Sequence, residues 1–150
     1  MLDIGSISHG TSRSEDLASA LIGALLGQGW KETAQIITEL RDVESGADTI
    51  SDSEVIADAM DDLNNCVPPY CYFGAHEGDE SDLGVWLDHH AFEQACRDRN
   101  ILKISDLADL DNHDRAYLAG FEHIAVVNDH GNVTLYPVVV TVGKALWDIV

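Results

Sequence analysis

The chain has 150 residues, and its 27 Asp and Glu against 8 Lys and Arg give a formal net charge of −19 at pH 7. Phosphate neutralisation needs clustered Lys and Arg, so this balance argues against direct nucleic-acid binding. The hydrophobic content of 45% is too high for a disordered acidic tail. We therefore expect one folded domain over residues 1–150, with its acids on the surface.

The same composition argues against a membrane protein and a secreted protein. The longest apolar stretch, residues 17–26, is about half as long as a membrane span. The three cysteines, Cys66, Cys71 and Cys96, include no CxxC pair, which favours free thiols in a reducing compartment. We therefore expect the protein in the cytoplasm.

Helices are predicted in the first half of the chain. Ser12 and Glu15 have the spacing of a capping box and predict a first helix that ends near Gly27. Trp30 leads into a second predicted helix that ends at about Arg41, with Ile36, Ile37 and Leu40 on its buried side.

A third helix, opened by Ser51 or Ser53 and stopped by the prolines at residues 68–69, separates into two faces. The apolar face, which we expect to be buried, consists of Val55, Ile56, Ala59, Met60 and Leu63. The opposite face carries Glu54, Asp58, Asp61 and Asp62. Like charges four residues apart destabilise a helix by about 0.2–0.5 kcal/mol per pair. This acidic face is therefore either an ordinary solvent-exposed surface, whose charge repulsion is screened by salt, or a binding surface for a partner.

Strands are predicted in the second half of the chain. We expect five of them, at residues 70–73, 85–87, 121–127, 133–140 and 145–150. A polar loop over residues 74–84 separates the first two, a short helix begins at Asp88, and an acid-rich loop covers residues 105–114. Helices followed by antiparallel strands predict an α+β fold, with about three helices packed on a sheet of about five strands.

The basic residues leave a long gap in the chain. No Lys or Arg occurs between Arg41 and Arg97, although this stretch holds 14 acids. Duplex DNA carries one charge per ~1.7 Å of its axis, so a carboxylate row can stand in for a phosphate backbone. The predicted partner is a basic nucleic-acid-binding protein. The candidate partner-binding residues are Asp42, Glu44, Asp48, Asp52, Glu54, Asp58, Asp61, Asp62, Glu77, Asp79, Glu80 and Asp82.

A second explanation of the charge is adaptation to salt. Asp outnumbers Glu by 18 to 9, and Lys occurs only three times. This bias is also typical of proteins from organisms with molar intracellular salt, where acids keep the surface hydrated. In such a host the acidity would carry no information about function.

Metal chemistry has three weaker candidates. Carboxylates at residues 76–82 and 109–114 could collect a hard cation, but neither segment has the calcium-loop pattern. His89, Glu93 and Cys96 share one helical face with a spacing that zinc can use, although the two-His spacing of a strong motif is missing. Capping and packing explain these residues better, and we assign no metal, cofactor or catalytic residue.

Residues 8–12 precede the first helix, where backbone N–H groups can hold an anion. The tripeptide His9-Gly10-Thr11 resembles the start of the nicotinamide-binding motif of ADP-ribosyltransferases. No paired Gln/Glu-x-Glu motif follows downstream, so a helix-capping turn is the better interpretation. A metal-dependent hydrolase or an ADP-ribosyltransferase-like enzyme, using His9 or residues 76–82, is kept as an alternative.

Three segments together resemble a family of small acidic proteins found in phages and plasmids. They are ISHGT at residues 7–11 with EDL at 15–17, YFGAHEGD at 72–79, and DHGNVTLY at 129–136. Glu80 departs from the family, where Gly is expected. The family has no assigned activity, so the resemblance implies no catalytic residue. It implies a mobile-element setting, and it favours a non-catalytic inhibitor of a host defence nuclease complex of the CRISPR or restriction type.

Overall fold

A computed structural model describes residues 1–47, 51–138, 140–141 and 144–145 of the chain. The chain divides into two compact units, residues 1–88 and residues 89–150. Both contain helices and strands, so the predicted α+β class is confirmed. A division into compact units leaves the expectation of a single domain over residues 1–150 untested.

Three helices form most of the first unit: α1 (Ser14–Gly27), α2 (Gln35–Glu44) and α3 (Asp52–Asn64). Each helix contacts the other two, and their apolar faces share one core. The largest fully buried side chains of this core are Leu21, Leu25, Ile37, Leu40, Val43, Leu63 and Val85. No helix that the structure describes combines the length and the apolar composition of a membrane span.

The sheet of the first unit contains β1 (Gly5–Ser8), β2 (Cys71–His76) and β3 (Asp79–Leu87) in the order β1-β3-β2. Both strand pairs are antiparallel. The close pairing of β1 with β3 requires a glycine at position 84. A Cβ atom there would collide with the Gly5 carbonyl oxygen and lie 2.8 Å from the Ser6 Cα.

The second unit contains a mixed three-stranded sheet and short helices. Its elements are α4 (His89–Arg97), β4 (Ile101–Ile104), a 3₁₀ helix (Leu107–Asn112), α5 (Arg115–Leu118), β5 (His123–Val127) and β6 (Val133–Pro137). The strand order is β4-β5-β6, with β4 parallel to β5 and β5 antiparallel to β6. A two-stranded pair, β7 (Val140–Thr141) and β8 (Lys144–Ala145), follows.

The prediction of one C-terminal sheet of about five strands is wrong. The structure instead has two three-stranded sheets, and one of them includes the N-terminal strand β1. Hydrophobic periodicity missed β1 and β4 because each is only four residues long. The parallel pairing of β4 with β5 needs a long crossover, which residues 105–122 provide. The strand predicted at residues 145–150 lies outside the described residues beyond Ala145.

Two predicted loops are also wrong. Most of the polar segment 74–84 belongs to a β-hairpin, because β2 continues to His76 and β3 begins at Asp79. The backbone N–H and C=O groups of β2 and β3 form their hydrogen bonds whether the side chains are polar or apolar. A polar composition therefore does not exclude a hairpin, as the prediction assumed. Much of the acid-rich segment 105–114 is the 3₁₀ helix, whose capping box is formed by Asp106 and Asp109.

The start of α1 differs from the predicted capping box. The helix begins at Ser14, two residues later than Ser12 would imply, and Arg13 occupies its N-cap without a side-chain cap. Thr11 organises this turn, because its Oγ1 accepts a hydrogen bond from the Arg13 backbone N–H and donates one to Asp16. Ser51 does precede α3 as predicted, but it forms no side-chain cap.

Candidate acidic binding site

The negative charge is concentrated in the first unit. Residues 1–88 hold 18 Asp and Glu against three Lys and Arg, whereas residues 89–150 hold nine against five. Of the net charge of −19, the first unit therefore carries −15 and the second −4. A binding surface that depends on negative charge is best sought in the first unit.

The packing of α3 determines which of its acids face solvent. Val55, Ala59 and Leu63 are buried, with Ile56 and Met60 packed at the edge of the core, so the predicted apolar face is confirmed. The acidic residues Glu54, Asp58 and Asp61 are exposed, and Asp62 is half-buried.

The neighbouring helix α2 brings further acids beside this row. Its buried face contains Ile36, Ile37, Leu40 and Val43. Glu39 and Asp42 lie outside that buried set and face space that they share with α3. The two helices therefore form an acidic groove between them, which neither helix could form alone.

One part of this groove is a cleft of about 460 Å³, which we call the Trp30 cleft. It is lined by Trp30, Gln35, Ile36, Glu39, Asp58, Asp61 and Asp62. The Trp30 backbone N–H donates a hydrogen bond to the Leu25 carbonyl oxygen at 3.2 Å. This bond fixes the backbone of Trp30 next to the end of α1. Gln35 Nε2 donates to Glu39 Oε1 at 2.8 Å and holds that carboxylate in place.

The other part is a cleft of about 240 Å³, which we call the Ser51 cleft. It is lined by Glu39, Asp42, Ser51, Glu54, Val55 and Asp58. Glu39 and Asp58 line both clefts, so the two form one continuous acidic surface, which we call the α2–α3 groove.

Among the residues that the structure describes, no positively charged side chain compensates the carboxylates of the α2–α3 groove. Over the described parts of the chain, no Lys or Arg lines either cleft, and no salt bridge involves an acid that lines them. Like charges brought together from two helices repel one another, and solvent and salt are what screen them. An arrangement of this kind is suited to a cationic partner.

Glu44 is placed differently from the groove acids. Its carboxylate accepts a hydrogen bond from Ser19 and another from Arg41 Nη1 at 3.1 Å, and these bonds lower its pKa. Arg41 Nη2 also lies 3.3 Å from Glu32 Oε2. Hydrogen bonds to Glu32 and Glu44 raise the pKa of Arg41, whose single positive charge is shared between the two carboxylates.

The acids of the β2–β3 hairpin form a separate group. Glu77 and Glu80 are exposed at its tip. Asp79 accepts hydrogen bonds from the Ser81 hydroxyl at 2.7 Å and from the Ser81 backbone N–H at 3.0 Å. Both bonds lower the pKa of Asp79, so this carboxylate already has local donors.

Asp82 pairs with His9, the residue that sequence analysis considered as an enzyme site. His9 Nδ1 lies 3.5 Å from Asp82 Oδ2, and the Asp82 side chain is only 18% exposed. Asp82 Oδ1 is buried and has no hydrogen-bond partner among the described residues. The Gly10 N–H donates to the Ser81 carbonyl oxygen at 3.1 Å, so this contact joins the N-terminal segment to β3.

The predicted partner-binding residues therefore fall into distinct places. Asp42, Glu54, Asp58, Asp61 and Asp62 line the α2–α3 groove. Glu44 pairs with Arg41, Asp52 occupies the first turn of α3, and the four hairpin acids belong to other elements. Asp48 lies outside the described residues.

The groove residues that the sequence did not predict as partner-binding include the acid Glu39 and the aromatic Trp30. Helical spacing could have identified Glu39, because it lies three residues before the candidate Asp42 and therefore on the same face of α2. No local signal pointed to Trp30, since its place in the cleft depends on how α2 packs beside α3.

The candidate metal ligands do not assemble into a site. Within the described ranges, no group of three or more His, Cys, Asp or Glu side chains is placed to hold a metal ion. Glu93, one of the zinc candidates, lies 3.3 Å from Lys103 Nζ. Burial raises the pKa of the Cys96 thiol, which disfavours the thiolate that zinc would need. Asp109 caps the 3₁₀ helix.

Comparison with known proteins assigns no family. No family model, no curated protein and no solved structure matches the chain. A function must therefore be argued from the groove and its charge.

Proposed function

We propose that this chain is a non-catalytic acidic binding protein of a phage or other mobile element, and that its α2–α3 groove occupies the basic nucleic-acid-binding surface of a host defence nuclease complex. The observation that carries the proposal is the groove itself, where carboxylates from two helices meet and where no Lys or Arg of the described residues forms part of the lining. The resemblance to small acidic phage and plasmid proteins supports the mobile-element setting.

The spacing of the acids supports mimicry of a nucleic acid. An α-helix rises about 5.4 Å per turn, so Glu54, Asp58 and Asp62 present a carboxylate about every turn. Glu39 and Asp42 add charges on a second helix. A basic groove that normally neutralises phosphates would find comparable charge density here, and electrostatic attraction would speed the encounter.

The experiment is a pull-down from host lysate with the full chain as bait, at about 0.1 M and about 1 M salt, where the Debye length falls from about 10 Å to about 3 Å. We expect capture of a Lys/Arg-rich nuclease or effector at low salt only, and displacement of that protein by duplex DNA. Recovery of no such protein, or capture that duplex DNA leaves unchanged, would refute the proposal.

The surface is tested by charge reversal. Replacing Asp58, Asp61 and Asp62 by Lys should abolish capture, because all three line the Trp30 cleft. A matched control replaces Asp111, Glu122 and Asp129, three exposed acids of the second unit, by Lys. Asp106 and Asp109 are unsuited as controls because they cap the 3₁₀ helix. Equal loss from both triples would mean that net charge alone matters.

Two alternative functions, a salt-adapted protein and an enzyme, lead to different expectations. Salt adaptation should spread acids over the whole surface, whereas here the first unit carries −15 and the second −4. An enzyme would use His9, which lies beside Asp82. A thermal-shift screen with NAD and divalent ions tests it, and stabilisation by several degrees would favour an enzyme.

A further inference from the structure

We infer that the Trp30 cleft is a receptor for one arginine side chain of the bound protein partner. The inference rests on the proposed function and adds to it the chemistry of a central anchor. The two parts of the α2–α3 groove would then bind in different ways. The Trp30 cleft would hold an arginine side chain, and the Ser51 cleft would attract the partner through charge alone.

The walls of the cleft combine two kinds of surface. The half-buried Trp30 provides most of the apolar area and packs against the core, and Ile36 is a core residue at the floor of the cleft. Glu39 provides a carboxylate from α2, and Asp58, Asp61 and Asp62 provide carboxylates from α3. A ligand that satisfies both surfaces has an apolar body and a delocalised positive charge.

Arginine has this combination. Its planar guanidinium stacks on aromatic faces, presents five N–H donors in a fixed geometry and is more weakly hydrated than an ammonium group. Lysine offers a compact, strongly hydrated charge that gains less from an indole wall. Arginine is also enriched among the residues that dominate binding energy at protein interfaces.

The cleft is formed before any partner binds. Trp30 is held by its backbone hydrogen bond to Leu25 and by packing against the core, and Glu39 is held by Gln35. The cleft is wide and open to solvent, and its volume of about 460 Å³ leaves room for one long side chain. Pre-organisation reduces the entropy lost on binding.

The test compares two peptides of equal charge, nona-arginine and nona-lysine, by calorimetric titration of the full chain at about 0.1 M salt. A cation–π contact at an exposed site is worth about two- to fivefold in affinity, so we expect nona-arginine to bind more tightly than nona-lysine by at most about this factor. We expect this preference in the wild type and its loss in Trp30→Leu, whereas Trp30→Phe keeps part of it. Equal affinity for both peptides, or a preference that survives in Trp30→Leu, would overturn the inference.

Trp30 also packs against the core, so a second pair of variants tests the cleft without removing packing. Asp61→Asn with Asp62→Asn, which line the Trp30 cleft and not the Ser51 cleft, should reduce affinity for nona-arginine severalfold more than Asp42→Asn with Glu54→Gln, which make the same charge change in the Ser51 cleft. Equal reductions would overturn the inference.

The outcomes separate this inference from the proposed function. If the peptides bind equally but the chain still captures a nuclease that duplex DNA displaces, only the arginine receptor fails. If arginine is preferred and no nuclease is captured, the receptor stands and the proposed function fails.

Discussion

Glu39 on α2 and Asp58 on α3 line both clefts of the α2–α3 groove, so two carboxylates from different helices face the same solvent space. The buried faces of the two helices hold these acids in place. Packing therefore maintains a like-charge arrangement that electrostatics alone would disperse.

Asp58→Asn should raise the free energy of unfolding slightly, by about 0.2–0.5 kcal/mol for each like-charge neighbour relieved. Urea denaturation at low salt measures the change. Added KCl should narrow the difference between the variant and the wild type, because salt screens the repulsion. Asp129→Asn, outside the groove, is the control and should change little. A less stable Asp58→Asn variant would contradict the repulsion argument.

The fold should also persist at low salt. The core of the first unit is a continuous apolar cluster, and we expect cooperative unfolding at about 0.1 M KCl, with stability that increases modestly as KCl rises. Circular dichroism during thermal unfolding over a KCl series measures this. Folding that requires molar KCl would instead favour the salt-adaptation explanation of the acidity.

Two glycine substitutions should have opposite effects. Gly84→Ala places a Cβ against the Gly5 backbone, so β1 must shift away from β3, and we expect destabilisation of about 1–3 kcal/mol. Gly23→Ala lies within α1, where a Cβ meets no atom within 4 Å. This control should stabilise by about 0.5–1 kcal/mol, because alanine favours the helix. Denaturant unfolding of both variants decides whether close strand pairing or glycine flexibility matters at position 84.

Ser81→Ala should raise the pKa of Asp79. The Ser81 hydroxyl and backbone N–H both hold that pKa below its ordinary value, and the substitution removes the hydroxyl. A carboxylate with a lowered folded-state pKa stabilises the protein above its unfolded-state pKa, and this contribution is lost as the pH falls through the folded-state pKa. Carboxyl NMR titration of Asp79 measures the change. An unchanged pKa would mean that the backbone N–H suffices.

A fragment of residues 1–88 should fold alone. Every described residue of the helical core belongs to this unit, from Leu2 near its start to Val85 near its end. We expect the fragment to unfold cooperatively and to keep the nona-arginine preference of the full chain. A fragment that remains unfolded would favour the single-domain prediction for residues 1–150.

The sequence alone determined the local features of this chain. The net charge, the three N-terminal helices and the split of α3 into apolar and acidic faces all follow from composition and from periodicity within about four turns. Helical periodicity was therefore sufficient to place Glu54, Asp58 and Asp61 on a solvent-facing row.

Tertiary structure decided which distant residues meet. Trp30 and Glu39 lie beside the α3 acids because α2 packs beside α3, whereas Glu44 accepts hydrogen bonds from Ser19 and from the positively charged Arg41. The pairing of β1 with β3 likewise depends on contacts between segments about 80 residues apart. Periodicity reports the faces of a single element, whereas packing between elements depends on side-chain fit across the whole core, which no local pattern encodes.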